Sequence, residues 1–220
     1  NRIHNNSSTN GGVPDANLKY GSGIIIIRMG ADKTNPAGMG IDGLSILNNQ
    51  IYENEKNGIY TGPMVKNLSI DGNEIENNGS DGIRIDLTEQ YYGAVNPVYD
   101  FASNIDANEN SLLGNGQYGM QVVGTPTNGF ILDASANWWG SAYEPSISAL
   151  TTGNLDITPY YITPTMDILS EPLPTVVWVN PAYTEGSAET HIFGYDAFSK
   201  IQDGIDGVAS TGTVNVAAGT

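Results

Sequence analysis

Three groups of side chains in this sequence have types and spacings that chemistry could use. Arg84 stands between Asp81 and Asp86. A base beside carboxylates able to hold Ca²⁺ suits elimination on a uronate, because the cation neutralises the sugar acid. Asp71 and Asp133 are candidates for the paired carboxyls of glycoside hydrolysis. Tyr91, Tyr92 and Tyr99 lie close together with Phe101, Glu89 and Asp100. That cluster can stack on a sugar, pack against another chain, or fold down on its own strands. Other chemistries lack their residues. There is no cysteine, hence no disulfide, thiolate metal site or cysteine nucleophile. The two histidines, His4 and His191, sit in neither a triad nor a metal-ligand pattern. Gly21-Ser22-Gly23 precedes no helix, so it is a turn and not a phosphate cradle. Arg84 has no second cation stacked on it, and an outward Asp beside a turn is usually just solvated. No catalytic residue is therefore assigned.

The formal net charge is −16, and the eight Lys and Arg residues are scattered. Such a surface repels nucleic acid and anionic lipid, which need clustered cations. It can recruit Ca²⁺, although solubility is the plainer role. No apolar run approaches the roughly 20 residues of a membrane span. Gly and Asn are abundant, which suits tight turns between short strands. Sequons occur at Asn6, Asn67 and Asn78 and matter only in a glycosylating host.

Internal repetition organises these residues. Leu44-Ser45-Ile46 returns as Leu68-Ser69-Ile70 at an offset of 24. The same offset carries Asn49 to Asn73, Ile51 to Ile75, Asn54 to Asn78 and Gly58 to Gly82. Ile105, Ala107, Asn110, Leu112, Asn115 and Gly119 fill these slots again after an insertion, and Leu132, Ala134, Asn137 and Trp139 fit a further copy. Upstream, Asn1, Ile3 and Asn6 match Asn49, Ile51 and Asn54. One unit cannot bury its own apolar side. Stacking units at about 4.8 Å buries Leu on Leu and gives every strand a parallel partner. Asn49, Asn73, Asn110 and Asn137 then form a structural ladder at a sharp corner, where Asn tolerates the left-handed backbone. Asp71, Asn108 and Asp133 are expected to share one outward column, with the two carboxylates about 10 Å apart.

The recurrent Asn-x-Ile-x-x-Asn…Gly-Ile pattern over residues 1–140 resembles the right-handed parallel β-helix proteins of the pectate lyase superfamily. Ala136-Asn137-Trp138-Trp139-Gly140 looks like the closing coil of non-catalytic bacterial and archaeal cell-surface β-helix repeat proteins. The resemblance implies an all-β, right-handed, single-stranded parallel β-helix over 1–158, capped by Trp138 and Trp139. Pro159, Pro164, Pro172 and Pro174 mark a linker over 159–175. Residues 176–220 read as a strand, an amphipathic helix over 196–210 with Phe198, Ile201, Ile205 and Val208 on one face, and a last strand containing Val214 and Val216. This block resembles the helical cap and first strand of a following β-helix. The chain is thus expected to be a window from a tandem protein, or a subunit whose cap docks on a neighbouring copy through Phe198, Ile201, Ile205, Val214 and Val216.

Three functions remain open. The first is a structural extracellular segment of a surface-layer, adhesin-like or filament-forming assembly, partnered by copies of itself. The second is a polysaccharide lyase or glycoside hydrolase. The third is a carbohydrate-binding module.

Overall fold

The computed structural model describes residues 1–7, 20–27, 41–62, 65–88, 102–124 and 129–218. The Tyr91, Tyr92 and Tyr99 cluster lies outside them. The chain is predominantly β, its sheets are parallel, and helices are few.

The first repeats contribute β1 (Arg2–His4), β2 (Ile24–Ile26), β3 (Ile41–Leu47), β4 (Gln50–Tyr52) and β5 (Ile59–Thr61). Then come β6 (Val65–Asp71), β7 (Glu74–Glu76), β8 (Ile83–Asp86), β9 (Ala102–Asn108), β10 (Met120–Val123) and β11 (Leu132–Asp133). A short helix α1 (Glu144–Ser148) precedes β12 (Thr151–Thr152) and β13 (Leu155–Asp156). Equivalent strands of successive repeats share a sheet. The orders are β1-β4-β7, β2-β5-β8-β10-β12 and β3-β6-β9-β11-β13. Register follows the repeat: Leu44 pairs with Leu68 and Leu68 with Ile105, Ile51 with Ile75, and Ile59 with Ile83.

Alternation explains which residues go inside. In β6, Val65, Leu68 and Ile70 are buried while Lys66 and Asn67 are exposed. Asn67 breaks strict alternation: it has a left-handed backbone (φ 51°), as do Asn104 (φ 54°) and Gly43 (φ 79°) at the same level of neighbouring strands. An extra residue in each strand there lets Val65 and Leu68 both turn inward. The interior holds Ile51, Leu68, Ile75, Ile83, Leu112 and Met120 within one continuous core.

The end of this stack is built differently from the expectation. Trp139 is fully buried among the core residues, and Trp138 is only half-buried beside Ser111. Another layer covers them. Leu150 accepts from the Gly119 and Met120 amides, Asp156 from Ala134, and Pro159 from Ala136. Ile147 of α1, Tyr160 and Ile162 complete the core there. The first half of the expected linker therefore belongs to the packed end. The chain doubles back between Tyr161 and Leu169, which form an antiparallel bridge. Prolines stop regular hydrogen bonding, but they do not stop an intervening Tyr or Ile from packing.

Residues 176–218 form a separate small sheet from β14 (Val176–Val179), β15 (Ala197–Phe198) and β16 (Thr213–Val216), in the parallel order β15-β14-β16. The helix expected over 196–210 is shorter: α2 spans Ile201–Gly207. Phe198 lies in β15 and is buried with Val177 and Val179, whereas Ile201 and Ile205 are 53% and 50% exposed. The apolar stripe of the sequence is thus split. Gly204 and Gly207 face the sheet, because a methyl group on them would come within 2.6 Å of Val179 and 2.4 Å of Phe198. The small residues let α2 lie close, which turns its isoleucines outward.

Candidate functional site

Hydrogen bonds between repeats occupy most of the polar side chains at the corners. At the first corner, Asn49 Nδ2 donates to Asn73 Oδ1 (3.0 Å), Asn73 to Asn110 (2.9 Å) and Asn110 to Asn137 (3.1 Å). Each Oδ1 also accepts the backbone amide of the preceding Asn in the ladder. All four residues are buried. One part of the sequence reading is corrected here: the ladder residues do not carry the left-handed backbone. Their predecessors do, namely Asn48 (φ 54°), Gly72 (φ 64°), Glu109 (φ 55°) and Ala136 (φ 50°). The left-handed residue turns the chain, and the Asn after it points inward to satisfy the exposed amides.

A second ladder repeats the device. Asn6 donates to Asn54 (3.0 Å), Asn54 to Asn78 (2.8 Å) and Asn78 to Asn115 (3.0 Å), again after left-handed Asn5, Glu53, Asn77 and Gly114. At the third corner the backbone amides of Asn57, Asp81 and Tyr118 donate in turn to Ser22, Asn57 and Asp81. The sequence showed the second column through its Asn spacing. It hid the third, where Ser, Asn and Asp share one job.

Asp81 is the charged member of that corner, and this defines the role of Arg84. Burial pushes the Asp81 carboxyl above the usual aspartate range, while Arg84 and the Tyr118 amide pull it back. Arg84 contacts Asp81 and Asp86 at 3.3 Å each and also bonds Gln121. The guanidinium is thus committed as the counter-ion of two carboxylates. Asp86 is also committed to Thr88, whose amide and hydroxyl it accepts.

The other carboxylates stand on the outer face of the β3-β6-β9-β11-β13 sheet. Here the expected column is corrected. Asp133 pairs with Asp106, and Asp71 pairs with Asn108. Ser69, Asp106, Asp133 and Asp156 are therefore register neighbours. Leu132 and Ala134 align with Ile105 and Ala107 inside, so the residue between must align with Asp106 outside. Asp133 and Asp156 each close a turn: Asp133 accepts the Ser135 amide (3.0 Å) and hydroxyl (2.7 Å), and Asp156 accepts both from Thr158. Asp106 has no such turn. Burial, then the negative charge of Asp71, raise its carboxyl, with a smaller push from Asp133, and Ser69 only partly offsets them. Asp133 is also penalised by burial, yet the Ser135 and Asn108 bonds bring it below the usual range. The two neighbours are thus pushed apart in acidity. Rung spacing of about 4.8 Å puts them near the roughly 5 Å separation of retaining glycosidases.

The sign of the Asp106 shift gives a test. Its native carboxyl binds a proton more tightly than the ordinary value of 3.8. As pH rises through that window, the folded state retains protons that the unfolded chain has lost, so stability falls. Asp106→Asn removes this cost. The variant is expected to melt at a higher temperature than the parent at neutral pH, with the gap closing as pH falls to the ordinary aspartate range. Melting curves that run parallel across this range would contradict the assignment.

The two histidines are structural contacts. His4 stacks on Tyr52, with ring centroids 4.8 Å apart. His191 stacks on Trp178 at 4.0 Å and contacts Asp196 at 3.3 Å. In the C-terminal sheet, Val214 is half-buried and Val216 is 51% exposed on the edge strand β16. Among the described residues, no three His, Cys, Asp or Glu side chains group as a metal-binding set. Comparison with family models, with curated proteins and with solved structures returns no match.

Proposed function

We propose that this chain is a stretch of right-handed, single-stranded parallel β-helix that serves as a structural segment of an extracellular assembly. The assembly is a cell-surface layer, an adhesin-like stalk or a filament, in which copies associate through their chain ends. One observation carries this reading: the corner polar groups are engaged in ladders that bond repeat to repeat, which is the chemistry of a rigid rod. The acidic, cysteine-free composition supports an exported location. The open edge of β16, with Val216 outward, supports addition of another parallel strand.

Analytical ultracentrifugation tests association. The parent is expected to grow beyond its 23.3 kDa with concentration. Val216→Lys, which puts a charge on the edge, is expected to stay monomeric. A parent that remains monomeric throughout refutes association through this edge.

A second reading is a glycoside hydrolase, favoured by the opposed acidities of Asp106 and Asp133. Asp106 would be the proton donor and Asp133 the carboxylate. Release of reducing ends from neutral glycans, lost in Asp106→Asn, would establish it. A polyuronate lyase is disfavoured because both carboxylates beside Arg84 hold it as a counter-ion.

A further inference from the structure

We propose that the cleft between α1 and the C-terminal sheet binds a small organic cation bearing a protonated amine, of the amino-sugar or polyamine class. The cleft has a volume of about 560 Å³, within the usual range of ligand sites. Its lining includes Tyr160 and Phe198, both buried, and Tyr143 and Tyr195, both half-buried. Four carboxylates line it, those of Glu144, Glu171, Asp203 and Asp206, against the single cation of Lys200.

Two observations separate this arrangement from the general acidity of the chain. First, aromatic rings and carboxylates converge on one concave volume. Ring faces and carboxylates both attract an ammonium group. Tyr160 stays a neutral phenol, since burial and the nearby Glu144 push its hydroxyl up to about 12. Second, Glu144 and Asp206 bond Ser148 and Gln202, whereas the side chains of Glu171 and Asp203 have no hydrogen bond or ion pair among the described residues. Two carboxylates are thus available to a ligand. An anionic uronate is repelled, and a neutral sugar leaves the excess charge unmatched. This site does not depend on self-association.

Calorimetric titration of the full chain with glucosamine, spermidine, N-acetylglucosamine and glucose is the test. At least one of the two amines is expected to bind, each neutral sugar at least about tenfold more weakly. The preferred amine identifies the ligand class. Glu171→Gln with Asp203→Asn is expected to weaken amine binding about tenfold or more. Lys200→Gln, which removes the opposing charge, is expected to tighten it. Glu74→Gln, at an exposed residue of β7 outside the cleft lining, is expected to leave it unchanged. The proposal is overturned if neither amine binds, if neither amine binds better than the two neutral sugars, or if Glu74→Gln weakens binding as much as the cleft pair. It is also overturned if Lys200→Gln fails to tighten binding.

Discussion

Asn73→Ala is expected to lower stability by about 3–5 kcal/mol, the largest effect of any single corner substitution. The side chain sits in the middle of its ladder. Its Oδ1 accepts the amide and the Nδ2 of Asn49, at 2.9 and 3.0 Å. Its Nδ2 donates to Ile46 and Asp71 carbonyls and to Asn110 Oδ1. Removing it strands the donors of Asn49 and the acceptors of Ile46, Asp71 and Asn110 in a site that is 1% exposed. A buried group without a partner loses its full hydration, which exceeds the net worth of the bond itself. Asn73→Asp is expected to cost a similar amount at neutral pH. It keeps the acceptor but sets a carboxylate against Asn110 Oδ1 and two carbonyls. Lys66→Ala serves as the contrast, because Lys66 is exposed on the same strand, and should fall within about 0.5 kcal/mol of the parent. Equilibrium denaturation measures all three. An Asn73→Ala protein within about 1 kcal/mol of the parent would mean that the ladder is incidental to the stack.

Leu68→Ala is the second large effect, at about 2–5 kcal/mol. Leu68 is fully buried and in register with Leu44 on one side and Ile105 on the other. The cavity would lie between rungs whose backbones are already joined by parallel ladder bonds. They cannot close on it without breaking register, so little relaxation is available. Leu47→Ala is the control. Leu47 is 48% exposed on the end strand β3, and its truncation should cost a few tenths of a kcal/mol, about the level of an ordinary surface change. Equal losses for Leu68→Ala and Leu47→Ala would show that the interior is not close-packed at that rung.

Register was legible because it is periodic. Leu44 on Leu68, Ile51 on Ile75 and Gly58 on Gly82 all follow from the offset of 24, since stacking must bury the same side chain at each turn. The Gly slots carry a physical reason visible only in three dimensions. A methyl group on Gly58 would come within 2.4 Å of Ile75 and 2.7 Å of the Gly82 carbonyl. The acidic face was half legible. Asp71 and Asp133 are conspicuous in sequence, but Asp106 becomes a partner only when the shorter last repeat is aligned on its interior residues. The cleft was not legible at all: Tyr143, Glu171 and Asp203 lie far apart in the chain, and no local pattern connects them.

The sequence by itself determined what repeats: parallel pairing, the interior residues of each rung and the Asn columns, because these are properties of one short unit stacked on its like. Tertiary structure alone decided what happens where the repetition stops. Residues 147–161 cover Trp139, Phe198 leaves the helix for a strand, and α2 turns Ile201 and Ile205 outward. At these places a residue's neighbours come from distant parts of the chain, and packing against them outweighs any preference carried by the local pattern.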